Sequence, residues 1–119
     1  MKLHPDLVRK MLLEIEDLPY QEDYTLSAMY LLAIKNGYDD KAGVYTARKL
    51  SESGLVKGGF PDYLVIEELT FEGHMFLDSI RDESIWAQTK TLTSKFAGVS
   101  LDILKDVSTH LIKDYLKLN

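Results

Sequence analysis

Residues Lys41 to Leu77 read KAGVYTARKLSESGLVKGGFPDYLVIEELTFEGHMFL, and this stretch decides the fold. Asp39 or Asp40 caps a helix that runs to about Glu52. Ser53-Gly54 stops it, because glycine takes the left-handed conformation that closes a helix. Leu55-Val56-Lys57 and Tyr63-Leu64-Val65-Ile66 are β-prone runs separated by the five-residue loop Gly58-Gly59-Phe60-Pro61-Asp62. Leu69 ends the second run. Thr70 then caps a helix expected to face Phe71, Met75, Phe76 and Ile80 inward. Helix, tight exit, hairpin and helix is the order of a winged helix-turn-helix.

Upstream, Leu7, Val8, Met11, Leu12 and Ile15 recur on one helical face, which predicts a helix from about 5 to 17. Pro5 suits the first helical position and Asp6 the positive end of the helix dipole. Leu18-Pro19-Tyr20 ends this helix, and Gln21 to Tyr24 reads as a polar connector. A second helix covers roughly Leu26 to Asn36, capped by Thr25 and closed by Gly37. Its apolar stripe is Leu26, Met29, Tyr30, Ala33 and Ile34, broadened by Leu31 and Leu32. Two helices broken at a glycine turn match the helix-turn-helix pattern.

Downstream, Ser84 is the expected cap of a helix carrying Ile85, Trp86, Leu92 and Phe96, closed by Gly98. Ser100 caps the last helix. The predicted fold is therefore mainly α with a small β-hairpin: a winged helix-turn-helix (ααα-ββ-α) with two additional C-terminal helices. Residues 1–119 read as a single domain, with 5–83 the winged-helix core and 84–119 a C-terminal helical extension.

With 119 residues, 45% hydrophobic and 28% charged, the chain has the composition of a soluble globular domain. It has no cysteine, which excludes disulfides, thiol chemistry and thiolate zinc sites, and suits a reducing cytoplasm. The N-terminus alternates charge with apolar residues, unlike a signal peptide or membrane span. Net charge is −5, which argues against non-specific attraction to nucleic acid. Residues 61 to 83 carry Asp62, Glu67, Glu68, Glu72, Asp78, Asp82 and Glu83 against the single Arg81.

Little in the chain points to catalysis. His4, His74 and His110 are far apart with no HExxH-like pair, so no metal site is expected. A local pair of His74 with Asp78, one helical turn on, is the expectation there. No serine lies in a GxSxG elbow, and Gly58-Gly59 lacks the lysine of a phosphate-cradling loop. The acidic run lacks calcium-loop spacing and reads as a solvated face. No enzyme activity, catalytic residue or cofactor is expected; an enzyme with an unrecognised acidic site is the weakest reading.

If the third helix packs through Val44, Ala47, Leu50 and Ser51, then Lys41, Tyr45, Arg48, Lys49 and Glu52 point outward. Lys41, Tyr45, Arg48 and Lys49, with Lys57 on the first strand, are the candidate DNA contacts. The same cations fit an ordinary solvated helix face, and the acidic hairpin favours that reading. In the last helix, Leu101, Leu104, Ser108, Leu111, Tyr115 and Leu118 form a stripe. Leu101, Leu104, Leu111, Tyr115 and Leu118 are the candidate dimer contacts, with packing inside the chain the alternative.

The runs VRKMLLEIEDLPY, SGLV and above all ELTFEGHMFLDSIRDESIW resemble DUF family 2513, small phage- and prophage-associated proteins of unknown function. The specific phrase, LTxEGHxFLDxIRxxxxW, is matched by Leu69, Thr70, Glu72, Gly73, His74, Phe76, Leu77, Asp78, Ile80, Arg81 and Trp86. Relatives carry tryptophan where this chain has Phe71, and histidine where it has Thr46. The resemblance implies a winged-helix-like fold in a mobile-element setting and no established catalytic residue. The phrase also has a physical reading: Thr70 caps a helix, Glu72 sits in its positive first turn, and Gly73 permits close approach to a neighbour. The expected function is a DNA-binding or regulatory adaptor in the cytoplasm, away from membranes. The alternative is a protein-interaction module on the same scaffold that does not touch DNA, binding a host or phage protein.

Overall fold

The computed structural model describes residues 1–58, 65–94 and 100–117. Among them run six α-helices and one two-stranded antiparallel sheet. These are α1 (Pro5–Asp17), α2 (Leu26–Lys35), α3 (Asp40–Glu52), β1 (Val56–Gly58), β2 (Ile66–Leu69), α4 (Phe71–Ile80), α5 (Glu83–Thr93) and α6 (Leu101–Tyr115). The protein is thus mainly helical, with a small sheet between α3 and α4. It divides into two compact units, Met1–His74 and Met75–Asn119, the division falling inside α4.

In the first unit, α1 buries the stripe Leu7, Val8, Met11, Leu12 and Ile15. Each such side chain contributes about 1.5–3 kcal/mol relative to exposure. The Thr25 hydroxyl accepts from Ala28 N at 3.2 Å and caps α2, while Gly37, at φ +83°, lets the chain leave it. The buried stripe of α2 is Met29, Leu32 and Ala33, rotated from the expected one, and Tyr30 and Ile34 face solvent. The close approach of α3 sets this rotation. A Cβ at Gly43 would overlap the Met29 carbonyl group, so the two backbones meet there.

The same contact corrects the inner face of α3. Ala42, Gly43, Thr46, Ala47 and Leu50 are buried, whereas Val44, expected in the core, is half-buried. Apart from Leu50, the packed side is made of small residues. Thr46 is tolerated inside because its hydroxyl donates to Ala42 O at 2.7 Å.

Leu55 N donates to Leu50 O at 3.0 Å, closing α3 before β1 begins. Among the described residues the second strand covers Ile66–Leu69, with Glu67 and Glu68 on it as expected. Val56 pairs with Leu69 and Lys57 with Glu68; an irregularity then sets Gly58 opposite Ile66. Tyr63, Leu64 and most of the expected loop lie outside the described residues. The connector before α2 holds a further surprise. Tyr24 is buried and bridges Ile66 through Tyr24 N to Ile66 O (2.7 Å) and Ile66 N to Tyr24 O (2.9 Å).

The expected start of α4 is present in detail. The Thr70 hydroxyl accepts from Gly73 N at 3.0 Å and donates to Gly54 O at 2.6 Å, while Thr70 N donates to Leu55 O at 3.1 Å. A Cβ at Gly73 would overlap that same Leu55 oxygen. Phe71 and Met75, expected inside, are exposed, Phe71 by 76%; Phe76, Leu77 and Ile80 are buried. The strand-to-helix cap sets this rotation, because it presses Gly73 against Leu55.

In the second unit, α5 packs on α6. Asp82, not Ser84, caps α5, its carboxylate accepting from Ile85 N at 2.9 Å. Trp86 is buried, as expected of a packing residue, and Leu92 is exposed. Phe96 and Gly98 lie outside the described residues. Thr89 and Thr93 are buried and donate to Ile85 O and Thr89 O. Ser79 and Ser108 meet at 2.9 Å between α4 and α6; with the Ser79 proton on Phe76 O at 2.6 Å, Ser108 is the donor between the two hydroxyls. No buried side-chain polar atom among the described residues lacks a partner.

Candidate nucleic-acid interface

Asp39 fixes where α3 begins, its carboxylate accepting from Lys41 N at 2.8 Å. That backbone hydrogen bond holds the Asp39 carboxyl below the ordinary carboxylate range, helped by Asp40 and the Lys41 charge. With Gly43 and Ala47 turned inward, Lys41, Tyr45, Arg48 and Glu52 follow one another along the outer side at helical spacing. Lys41 and Arg48 are exposed, and Tyr45 and Lys49 are half-buried.

Lys49 is engaged within the helix. Its ammonium lies 2.8 Å from Glu52 Oε2 and 5.3 Å from the centre of the Tyr45 ring. The hydrogen bond to Glu52 raises its pKa, so it stays cationic but partly neutralised. The Ser51 hydroxyl donates to Gly58 O at 3.1 Å, tying the end of α3 to β1. Lys57 is thereby held near the C-terminal end of the stripe. It is exposed, with Glu68 directly opposite on β2. All five candidate contacts therefore belong to one unit, and four share one helix. Asp39 and Asp40 stand at one end of the stripe and Glu68 near the other.

The remaining candidates are distributed differently. Leu101 and Leu104 are buried within the chain, Leu111 is half-buried and Tyr115 is exposed, while Leu118 lies outside the described residues. The first half of that stripe thus packs internally. His74, expected to be partly buried against Asp78, is exposed, and Asp78 instead pairs with Arg81 at 2.7 Å. His4 stacks on Tyr38, ring centres 4.3 Å apart. Among the described residues no three His, Asp or Glu side chains converge as a metal site would require. No described helix is long and apolar enough to cross a membrane.

Sequence reasoning missed a second surface. A cleft of about 420 Å³ opens between the end of α1 and α2, lined by Glu14, Asp17, Asp23, Tyr24, Leu31 and Lys35 among others. The Tyr24 hydroxyl donates to Glu14 Oε1 at 2.7 Å, and burial, with the Glu14 carboxylate, pushes the phenol well above its ordinary pKa. No motif signals this cleft, since its residues come from a helix end, a connector and the outer side of another helix.

Fold and site together define a small, mainly helical protein with an outward cationic helix face, Tyr45 half-buried within it, beside a two-stranded sheet. The family described as hypothetical protein (DUF2513) matches residues 2–100, and the chain belongs to it. An uncharacterized protein of Haemophilus influenzae is 31% identical over 124 residues, covering 98% of this chain and 99% of that protein. No solved structure gives a significant match.

Proposed function

We propose that the protein is a winged helix-turn-helix module that binds duplex DNA through α3, serving as a DNA-binding or regulatory adaptor in a phage or prophage setting in the bacterial cytoplasm. The observation carrying this reading is the outward stripe of exposed Lys41 and Arg48 with half-buried Tyr45 between them, on a helix whose opposite side is locked against α2 at Gly43. The element order supports it: helix, bridging residue Tyr24, two close-packed helices, paired strands, helix. A recognition helix lies in the major groove, where an arginine can read guanine while lysines meet phosphates.

Binding on this reading is electrostatic and weak. With Lys41, Arg48 and Lys57 each displacing one counterion, the slope of log affinity against log salt is about −2.7. Affinity then drops about 40-fold between about 50 and 200 mM salt. Fluorescence anisotropy with pooled genomic fragments at low salt tests this. Saturable binding with that salt slope, abolished in Lys41→Glu/Arg48→Glu, is the expected result. Absence of binding at low salt, or a charge-reversed variant that binds like wild type, would refute it.

A second reading, an interaction module that never touches DNA, is favoured by one observation. Glu67, Glu68 and Glu72 are exposed on β2 and the first turn of α4, where DNA would meet like charge. On either reading, homodimerisation would use the outer end of α6.

A further inference from the structure

We infer that the outer side of α1 and α2 is a docking surface for a partner protein segment that presents a lysine or arginine beside an apolar side chain. The first half of the argument is apolar. Tyr30, Leu31 and Ile34 are 37, 60 and 58% exposed, and they adjoin one another on the face of α2 turned away from Met29 and Ala33. A ten-residue helix that already fills its inner side with Met29, Leu32 and Ala33 gains nothing in folding from three more large apolar residues outside.

The second half is electrostatic. Leu31 also lines the cleft that holds Glu14, Asp17, Asp23 and Lys35, so the apolar patch runs directly into it. Three carboxylates face one ammonium there, and Lys35 reaches only to 3.9 Å from Glu14 Oε2. Neither Asp17 nor Asp23 is ion-paired among the described residues. Glu14 is steadied by the Tyr24 hydroxyl, and the Tyr24 backbone by Ile66, so one wall of the cleft is preformed. Net negative charge beside exposed leucine and isoleucine repels nucleic acid and anionic lipid and suits a cationic, partly apolar peptide. The apolar contacts supply affinity, and the carboxylates select and orient a basic side chain. None of Lys41, Tyr45, Arg48 or Lys57 takes part, so this surface stands apart from the proposed DNA contacts.

A displayed random-peptide library selected on the full chain tests the inference directly. The expected consensus places Lys or Arg within one helical turn of Leu, Ile or Phe. A synthetic consensus peptide, followed by anisotropy, should lose roughly tenfold or more in affinity with Leu31→Gln/Ile34→Gln. The variant Asp17→Asn/Asp23→Asn should lose a similar amount, together with most of the salt dependence. Glu67→Gln/Glu68→Gln, which changes net charge equally but elsewhere, should bind like wild type. All these positions lie at the surface, and circular dichroism melts would confirm that the variants fold. Failure to enrich a consensus, a consensus without a basic residue, or equal weakening by Glu67→Gln/Glu68→Gln would overturn the inference. A concentration-dependent dimer in the peptide-free chain, lost in Leu31→Gln/Ile34→Gln, would also overturn it by giving the face to a second copy.

Discussion

Replacing Gly73 with alanine should destabilise the protein, although alanine is the better helix former. Propensity alone favours the change by about 1 kcal/mol at a helical position. Against it stands Leu55, whose carbonyl group occupies the space a Cβ would need. That carbonyl cannot move freely. Leu55 N is bonded to Leu50 O at 3.0 Å, and Leu55 O accepts from Thr70 N at 3.1 Å. Separating α4 from this junction strains packing by about 1–3 kcal/mol. It also weakens at least one backbone hydrogen bond, worth about 1 kcal/mol. The net expectation is a loss of about 1–3 kcal/mol, or a fall in Tm of roughly 5–15 °C for a chain of this size. Urea titration and thermal melts of Gly73→Ala against wild type measure it. Gly54→Ala is the contrast: its Cβ would meet open space, so only the φ of +76° is strained and the loss should be about 1 kcal/mol. A Gly73→Ala protein as stable as wild type, or more so, would refute the close-approach reasoning.

Two further outcomes are expected. Tyr24 has its pKa raised by burial, so its neutral form is favoured in the folded state. That stability is fully present below the ordinary tyrosine value of 10.0 and is lost as pH rises above it. Urea midpoints should therefore fall as pH rises from about 10 to 12, and Tyr24→Phe should flatten that slope; parallel slopes would contradict the assignment. At the end of α6, Tyr115 and Leu116 are exposed. If a homodimer forms there, sedimentation at tens of micromolar should give a dimer for wild type and a monomer for Tyr115→Ser/Leu116→Ser. A wild-type monomer ends that proposal.

The helices were legible wherever a cap and a one-sided stripe coincided, as with Pro5 and the Leu7 to Ile15 run, Thr25 before α2, or Thr70 and Gly73 at α4. Rotation about the helix axis was harder to read. In α2 and α3 the packed side is set by Met29 and Gly43 meeting backbone to backbone, a relation between two helices that neither apolar pattern contains alone. The rotation of α4 has a similar origin, with Gly73 against Leu55 turning Phe71 outward. Charge spacing put Lys41, Arg48 and Glu52 on the exposed side of α3, because charged groups leave a packed face. It could not reveal that Lys49 pairs with Glu52 or that Lys57 faces Glu68, since the first depends on rotamer and the second on strand register. The cleft beside α2 was invisible because Tyr24 looked like one residue of a polar connector.

The bridge between Tyr24 and Ile66 has a consequence for how the chain is made. On the ribosome, α1, α2 and α3 emerge long before Ile66 does, and neighbouring helices dock early because their contacts are local. Until Ile66 appears, the backbone N–H and C=O of Tyr24 have no strand to meet, and the phenol is held by Glu14 and by a longer contact to Ala28 O. The nascent helical segment therefore lacks, until then, the backbone bridge that ties the connector between α1 and α2 to β2. Synthesis of Ile66 supplies that bridge, so the order of synthesis sets the earliest moment at which the first unit can be complete.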